Sequence, residues 1–308
     1  MISFIIVNYN TKDLLKKLLN SLEKFFQGEE IIVIDNASSD GSADMVRRES
    51  PSVHLIANKE NIGFARANNQ AMEIAKGDVF VLINSDAELA DDSLRHAVDM
   101  VINDRTCGLA GCRLMNSDGS TQISVGRFPG VSYALLSNTG LGVLLPARMR
   151  GRILAGRYFD YTGQAEVDWV MGACLILRKD VYLTAGGLNT DYFMFGEDME
   201  WCYRIKKAGY RIIYTPSARV IHHFNKSGAS GAAKRYELMY RNYYSFCETN
   251  FGRVRSTIIR VLNIQGLLLR YTGYKLGLIK TSDPFLSYWF SNFKQAIKAQ
   301  FKSSNKIS

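Results

Sequence analysis

The chain has 308 residues, 47% apolar and 22% charged, enough hydrophobic material for a substantial core and no low-complexity tract. It has no run of eighteen apolar residues long enough to span a membrane, and its five scattered cysteines form no CxxC pair, which argues against a disulfide framework or structural zinc. The net charge of +9 lies entirely in residues 251–308, which hold ten Lys/Arg against one acid, Asp283, while the first 250 residues carry 28 charges of each sign.

The chain opens on ISFIIVN, which is too short and lacks the basic lead-in of a secretory signal, so it reads as a buried first strand of a cytosolic protein. Over the first 115 residues, strand-length apolar runs (IIVN, IIVID, VHLIAN, VFVLIN, LAGCRL) alternate with helical patterns at 11–26, 40–49, 63–76 and 91–104, with Thr11 and Asp40 as candidate N-caps. Such alternation implies an α/β fold with a mostly parallel sheet covered by helices. Residues 126–165 show no clear periodicity and read as a long functional loop. VDWVMGACLILR (167–178) then reads as a strand and 196–208 as a helix. RIIYTP and RVIHHF read as two short closing strands, and the chain beyond residue 232 is helical and aromatic. The expected division is a catalytic domain at 1–230 and a basic helical extension at 231–308.

In sheets of this kind, ligands bind beyond the carboxyl ends of the strands. Those ends are polar: Asn8-Tyr9-Asn10, Asp35 to Asp40, Asn58 to Asn61, and Asn84-Ser85-Asp86. GxGxxG, GxxxxGK[ST] and HExxH are absent, which argues against a dinucleotide oxidoreductase, a P-loop NTPase and a zinc protease. Asp35 and Asp40 suit hydrogen bonds to a base or ribose, or merely cap their elements. Asp86 and Glu88 are hard oxygen donors suited to a divalent cation, or a solvated turn. Asp198, Cys202 and Ile205 share one helix face at i, i+4 and i+7, which turns Asp198 toward the body of the protein as a general base requires, or else Glu197 and Asp198 serve the helix dipole. His222 and His223 face opposite ways on a strand, so only one can join a metal site with Asp86.

Together the stretches VNYN (7–10), VIDNASSDGS (33–42), NIGFARANN (61–69), LINSDAEL (82–89), VDWVMGACLILRKDV (167–181), GGLNTDYFMFGEDMEWCYRIKKAGYRI (186–212) and VIHHFNKS (220–227) resemble the family 2 glycosyltransferases, closest to rhamnosyltransferase-like members. The resemblance spans residues 1–228 and implies a GT-A fold with a mixed, mostly parallel sheet and a C-terminal helical extension. It implies that Asp198, beside Glu197, is the catalytic base. It assigns donor binding to Asn8, Asn10, Asp35 at the base, Asp40, Asn61, Arg66, Asp86, Trp169 and Gly172. It also implies a divalent metal, Mg²⁺ or Mn²⁺, held by Asp86 and by His222, which lies five residues before Ser227. One departure is Ser85, where the family often has proline, which should alter loop stiffness and leave the chemistry intact. The implied donor is a dTDP- or UDP-linked sugar, rhamnose first, and the acceptor is a glycan or polyprenyl-linked glycan.

In the tail, Phe293, Ile297 and Phe301 recur four apart with Lys294, Lys298 and Lys302 beside them, after Trp289 and Phe290. This reads as an interfacial helix on an anionic membrane surface, at the inner face of the cell membrane, with a homo-oligomer interface as the alternative. The balanced body speaks against nucleic acid. Competing functions are a sugar nucleotidyltransferase, which would need a Gly-rich basic loop where VNYNTKDLL stands, and a non-catalytic sugar-nucleotide-binding protein, which would not need both Asp86 and Asp198.

Overall fold

The computed structural model describes residues 1–223, 232–279 and 290–301. Ser227, Trp289 and Lys302 lie outside them. The chain forms two compact units: 1–126 with 160–228, and 127–159 with 229–308.

The first unit holds a nine-stranded sheet among the described residues. β1 (Ile2–Asn8), β2 (Glu30–Asp35), β3 (His54–Ala57) and β4 (Val79–Ile83) run parallel in the order β3-β2-β1-β4, joined by α1 (Lys12–Phe25), α2 (Ser42–Glu49) and α3 (Phe64–Ile74). Every residue of β4 is buried, as expected of a central strand covered on both faces, whereas the edge strand β3 is partly exposed. Helix α1 lays Leu15, Leu18, Leu19 and Leu22, spaced i, i+3, i+4, i+7, on the sheet, and Phe26 meets Phe4 edge-to-face at 5.0 Å. β5 (Ala87–Glu88) and α4 (Leu94–Asn103) lead to β6 (Cys107–Met115), and the short β7 (Val125–Gly126) follows.

Two strand readings change. The run at 167–178 is three strands: β8 (Ala165–Val167) on the sheet's flank, β9 (Trp169–Val170) against β7, and β10 (Cys174–Arg178) antiparallel to both β4 and β6. Apolar content alone does not show the break at 171–173. Conversely, RIIYTP and RVIHHF form one strand, β11 (Arg211–His222), because Pro216 falls in an irregularity between Thr215 and Arg219, where no ladder N–H is needed. Helices α7 (Lys179–Ala185) and α8 (Glu197–Lys207) lie between β10 and β11.

In the second unit, residues 127–159 are not a loop. They form α5 (Val131–Asn138), α6 (Ala147–Leu154) and two 3₁₀ turns. They pack with the long C-terminal helices α9 (Ala232–Phe251) and α10 (Arg253–Lys275), which the linear division at residue 230 did not anticipate. The helix Phe293–Phe301 completes this unit. Its apolar stripe is not turned outward: Phe293 stacks on Tyr271 at 3.8 Å, Ile297 packs against the Tyr236–Leu267 cluster, and only Phe301 is exposed. Among the described residues no helix is long and apolar enough to cross a membrane.

Candidate active site

The carboxyl ends of β1, β2 and β4 carry the polar rim. Register pairs Asn8 with Asp35, and the Asn8 amide donates to Asp35 Oδ1 at 2.8 Å and to Ser38 Oγ at 3.1 Å. Ser38 N–H donates to Asp35 Oδ2, and Asn10 N–H donates to Ser38 Oγ. Asp35 is buried, so it also organises the turn that the strand ends share. Asn10 and Ala37 adopt φ of 55° and 63°, backbone strain of the kind that collects at ligand turns.

Asp40 is not the N-cap of α2; that position is Gly41. Its carboxylate instead accepts the Lys12 N–H that opens α1 and the Ser42 N–H that opens α2, and these hydrogen bonds hold its pKa below the usual range although partial burial, the largest influence, acts the other way. Thr11 likewise makes no cap bond; its hydroxyl donates to Asn8 Oδ1. A groove of about 350 Å³ opens here, lined by Asn10, Thr11, Lys12, Asp13, Leu14 and Asp40. Farther along the rim, Asn61 Oδ1 accepts from Gly63 N–H and the Asn36 amide, and Arg66 is exposed on the first turn of α3.

The Asn84-Ser85-Asp86 turn follows β4. Ser85, at the position where proline is common, bonds Thr11 through its hydroxyl at 2.8 Å, so a side-chain tie replaces ring stiffness. Asp86 is 1% exposed. The next residues form β5, whose antiparallel register sets Ala87 opposite His222. That pairing brings His222 Nε2 to 3.3 Å from Asp86 Oδ1 across a long sequence separation. His223 points away, to Glu88 at 3.2 Å and Ser117 at 3.1 Å, so neither Glu88 nor His223 shares the Asp86 cluster.

A residue invisible to motif reading orients His222. The Gln122 amide nitrogen donates to the His222 carbonyl at 2.6 Å and to Asn116 Oδ1 at 2.8 Å, so its oxygen faces His222 Nδ1 at 3.0 Å. Nδ1 must then carry the hydrogen, and the Nε2 lone pair is directed toward Asn84 and Asp86. Asn84 Oδ1 is buried without a hydrogen-bond partner. The Asp86 carboxylate and the His222 imidazole nitrogen, side by side at 3.3 Å, fit a hard divalent cation completed by diphosphate oxygens and water. Among the described residues no group of three or more His, Cys, Asp or Glu is placed to hold a metal ion.

The acidic pair opens α8 after Phe195 (φ 70°) and Gly196 (φ 92°). Cys202 and Ile205 on the same face are fully buried. Asp198 is half-buried; its Oδ2 accepts the Gly172 N–H at 2.9 Å and its Oδ1 the Met199 N–H at 2.8 Å. Glu197 is 6% exposed and its Oε2 has no hydrogen-bond partner. Burial, then the neighbouring Asp198 charge, pushes the Glu197 pKa up to about 8, while burial raises Asp198 against the pull of its backbone hydrogen bonds. The negative charge of the pair therefore resides on Asp198, and the buried Glu197 lies behind it as the neutral member.

Gly172 joins the two halves of the site. Its N–H holds Asp198, and the carbonyl of the next residue, Ala173, accepts the Asn84 N–H at 3.0 Å. A Cβ at 172 would sit 3.4 Å from the Asp198 Cβ, in ordinary van der Waals contact with the base. Trp169 packs on Gly126, where any Cβ would lie 2.1 Å from the indole. Glu200 and Arg204 form a bidentate clamp: Arg204 also donates to the Ala185 and Gly187 carbonyls and fixes the loop before the acidic motif.

Residues 3–166 match the family model for glycosyl transferase family 2. The chain belongs to that family. Among curated relatives, it is 26% identical over 254 residues to the N-acetylglucosaminyl-diphospho-decaprenol L-rhamnosyltransferase of Mycobacterium tuberculosis, covering 78% of this chain and 81% of that one. It is 25% identical over 271 residues to the rhamnosyltransferase WbbL of Escherichia coli, covering 83% and 98%. Among solved structures, the mannosyltransferase PcManGT of Pyrobaculum calidifontis, in complex with GDP-Man and Mn²⁺, superposes with a TM-score of 0.63 at 19% identity over 100% of this chain and 88% of that one. Residues 1–349 of TarS from S. aureus superpose with a TM-score of 0.52 at 16% identity over 96% and 80%. The fold is accordingly GT-A, and this family 2 member is a glycosyltransferase, which sets aside the nucleotidyltransferase and non-catalytic readings.

Proposed function

We propose that this glycosyltransferase moves a sugar with inversion from a nucleoside-diphosphate donor, dTDP-rhamnose first, to a glycan or polyprenyl-linked glycan in cell-surface polysaccharide synthesis, using Asp198 as base. The observation that carries the reading is the half-buried Asp198 carboxylate, held by the Gly172 N–H on the segment whose next carbonyl binds the Asn84–Asp86 turn. Both named rhamnosyltransferase relatives support the sugar, and the decaprenol-diphosphate in one relative's name supports the lipid-linked acceptor.

Asp198 takes the proton of the acceptor hydroxyl as its oxygen forms a bond to the anomeric carbon. The bond from that carbon to the diphosphate breaks in the same displacement, the electron pair leaves with the nucleoside diphosphate, and one displacement inverts the centre. Gly172 and Met199 N–H groups hold the carboxylate in line and keep it ionised, and neutral Glu197 positions it without competing for charge. Asn8, Asn10, Asp35, Asp40 and Asn61 line the nucleotide end of the rim, with Arg66, Trp169 and Gly172 completing the donor contacts. Asp86 and His222 would hold Mg²⁺ or Mn²⁺, which when bound neutralises charge on the leaving diphosphate.

Asp198→Asn should bind the donor as the wild type does and lose about 10²–10⁴-fold in kcat. Turnover within a few-fold of wild type, measured by nucleoside-diphosphate release with acceptor present, would remove Asp198 from the role.

A further inference from the structure

The second unit carries a helix with apolar residues on two sides. In α10 the side facing the protein holds Ile259 and Leu267 together with Ser256, Asn263, Gly266 and Arg270, while further large aliphatic residues face solvent. Asn138 of α5 receives the Arg270 guanidinium and donates to Asn263, and a Cβ at Gly266 would lie 2.4 Å from Asn138 Oδ1, so hydrogen bonds and close packing lock this face inward. The outward stripe consists of Val254 (75% exposed), Ile258 (42%), Val261 (58%), Leu268 (48%), Leu269 (52%) and Leu276 (68%). At 1.5 Å per residue it runs along about 34 Å of helix. An ordinary surface helix keeps its solvent side polar, and an aliphatic stripe of this length, broken by the exposed Gln265, marks a contact with something other than water.

Charge identifies the occupant. Residues 127–159 with 229–308 contain eighteen Lys/Arg against three Asp/Glu, whereas the first unit contains twenty against twenty-six. No Asp or Glu occurs from 249 to 279, and Arg253, Arg255 and Lys275 flank the stripe at its ends. An aliphatic face whose charged neighbours on the helix are all cations is complementary to a surface that is anionic at its headgroups and apolar just beneath. No described helix is long and apolar enough to cross a bilayer, and an amphipathic face of this kind suits a contact in the plane of the interface.

We propose that the outward face of α10, and not the final helix, is the surface by which this protein docks on an anionic lipid bilayer. The inference rests on the glycosyltransferase reading only for its purpose, delivery to a lipid-linked acceptor; the contact itself follows from α10.

The test is vesicle co-sedimentation of the full chain. Vesicles of equal phosphatidylglycerol and phosphatidylethanolamine are compared with pure phosphatidylcholine. Three proteins are used: wild type, the double variant Val261→Glu/Leu268→Glu, and Leu183→Glu, the same chemical change at a residue 71% exposed in the first unit. Wild type and Leu183→Glu should pellet with the anionic vesicles, and the double variant should bind at least about tenfold more weakly. Thermal unfolding and acceptor-independent release of nucleoside diphosphate establish that each variant is folded and competent with donor. Absence of donor turnover in wild type with pelleting intact would count against the enzymatic reading and leave the docking face standing. The docking face is overturned if wild type stays in the supernatant or if the folded double variant pellets as wild type does. It is also overturned if analytical ultracentrifugation without lipid shows a wild-type dimer that the same two substitutions convert to monomer.

Discussion

At the scale of single residues, hydrogen bonds from outside the motifs orient the groups of the candidate site. Gln122 uses both amide hydrogens on His222 and Asn116 and thereby fixes the imidazole tautomer beside Asp86. Second-sphere hydrogen bonds of this type contribute about 10–100-fold to metal affinity. Gln122→Ala should therefore weaken Mn²⁺ binding, titrated by calorimetry in the presence of UDP, by about that factor with little change in thermal stability; unchanged affinity would show that His222 needs no such support. Glu197 makes the opposite case, a carboxyl kept neutral by burial. Its pKa is raised from 4.5 to about 8, so folding takes up a proton in that window and stability falls as pH rises through it. Glu197→Gln should flatten the dependence of Tm on pH between about 5 and 8 and be the more stable protein above that range. Parallel Tm curves for the two proteins would contradict the burial argument.

At the scale of elements, the site depends on short pieces. The two-residue β5 brings His222 to Asp86, and the interruption between β9 and β10 leaves the Gly172 N–H for Asp198. The turn before α3 is a third such piece. Gly63 has φ of 86°, and a Cβ there would lie 2.8 Å from both the Phe193 ring and its carbonyl oxygen, which accepts the Phe64 N–H. This contact joins the Asn61 turn to the loop that precedes Gly196. Gly63→Ala should cost about 1–3 kcal/mol in thermal or urea unfolding. It should raise KM for the donor more than it lowers kcat, because it displaces rim residues and leaves the base in place. An unaffected stability would mean the two loops separate without cost.

At the scale of the whole molecule, charge divides between the units. Twenty bases against twenty-six acids make the catalytic unit mildly acidic, and eighteen against three make the second unit strongly basic. Screening shortens from about 8 Å at 0.15 M salt to about 3 Å at 1 M. Flotation with phosphatidylglycerol vesicles should therefore weaken severalfold as NaCl rises from about 0.05 to 0.5 M, retaining a salt-resistant component from the aliphatic face of α10. Binding independent of salt would mean that the segregated charge takes no part.

The sequence by itself determined the alternating α/β order, the polar strand ends, the acidic pair at 197–198 and the family, because these follow from local periodicity and from motifs in fixed order. Strand alternation showed that only one of His222 and His223 could join Asp86, and the family resemblance chose His222. Only the tertiary structure decided what depends on distant pairing: β5 against β11, Gln122 on His222, and Gly172 on Asp198, each joining segments that no local pattern relates. It likewise moved residues 127–159 out of a presumed loop and into the basic unit, so that a body read as neutral became acidic. Finally, it turned Phe293 and Ile297 inward and the aliphatic face of α10 outward. Helical periodicity shows that a helix has an apolar side, but only packing determines which side is covered.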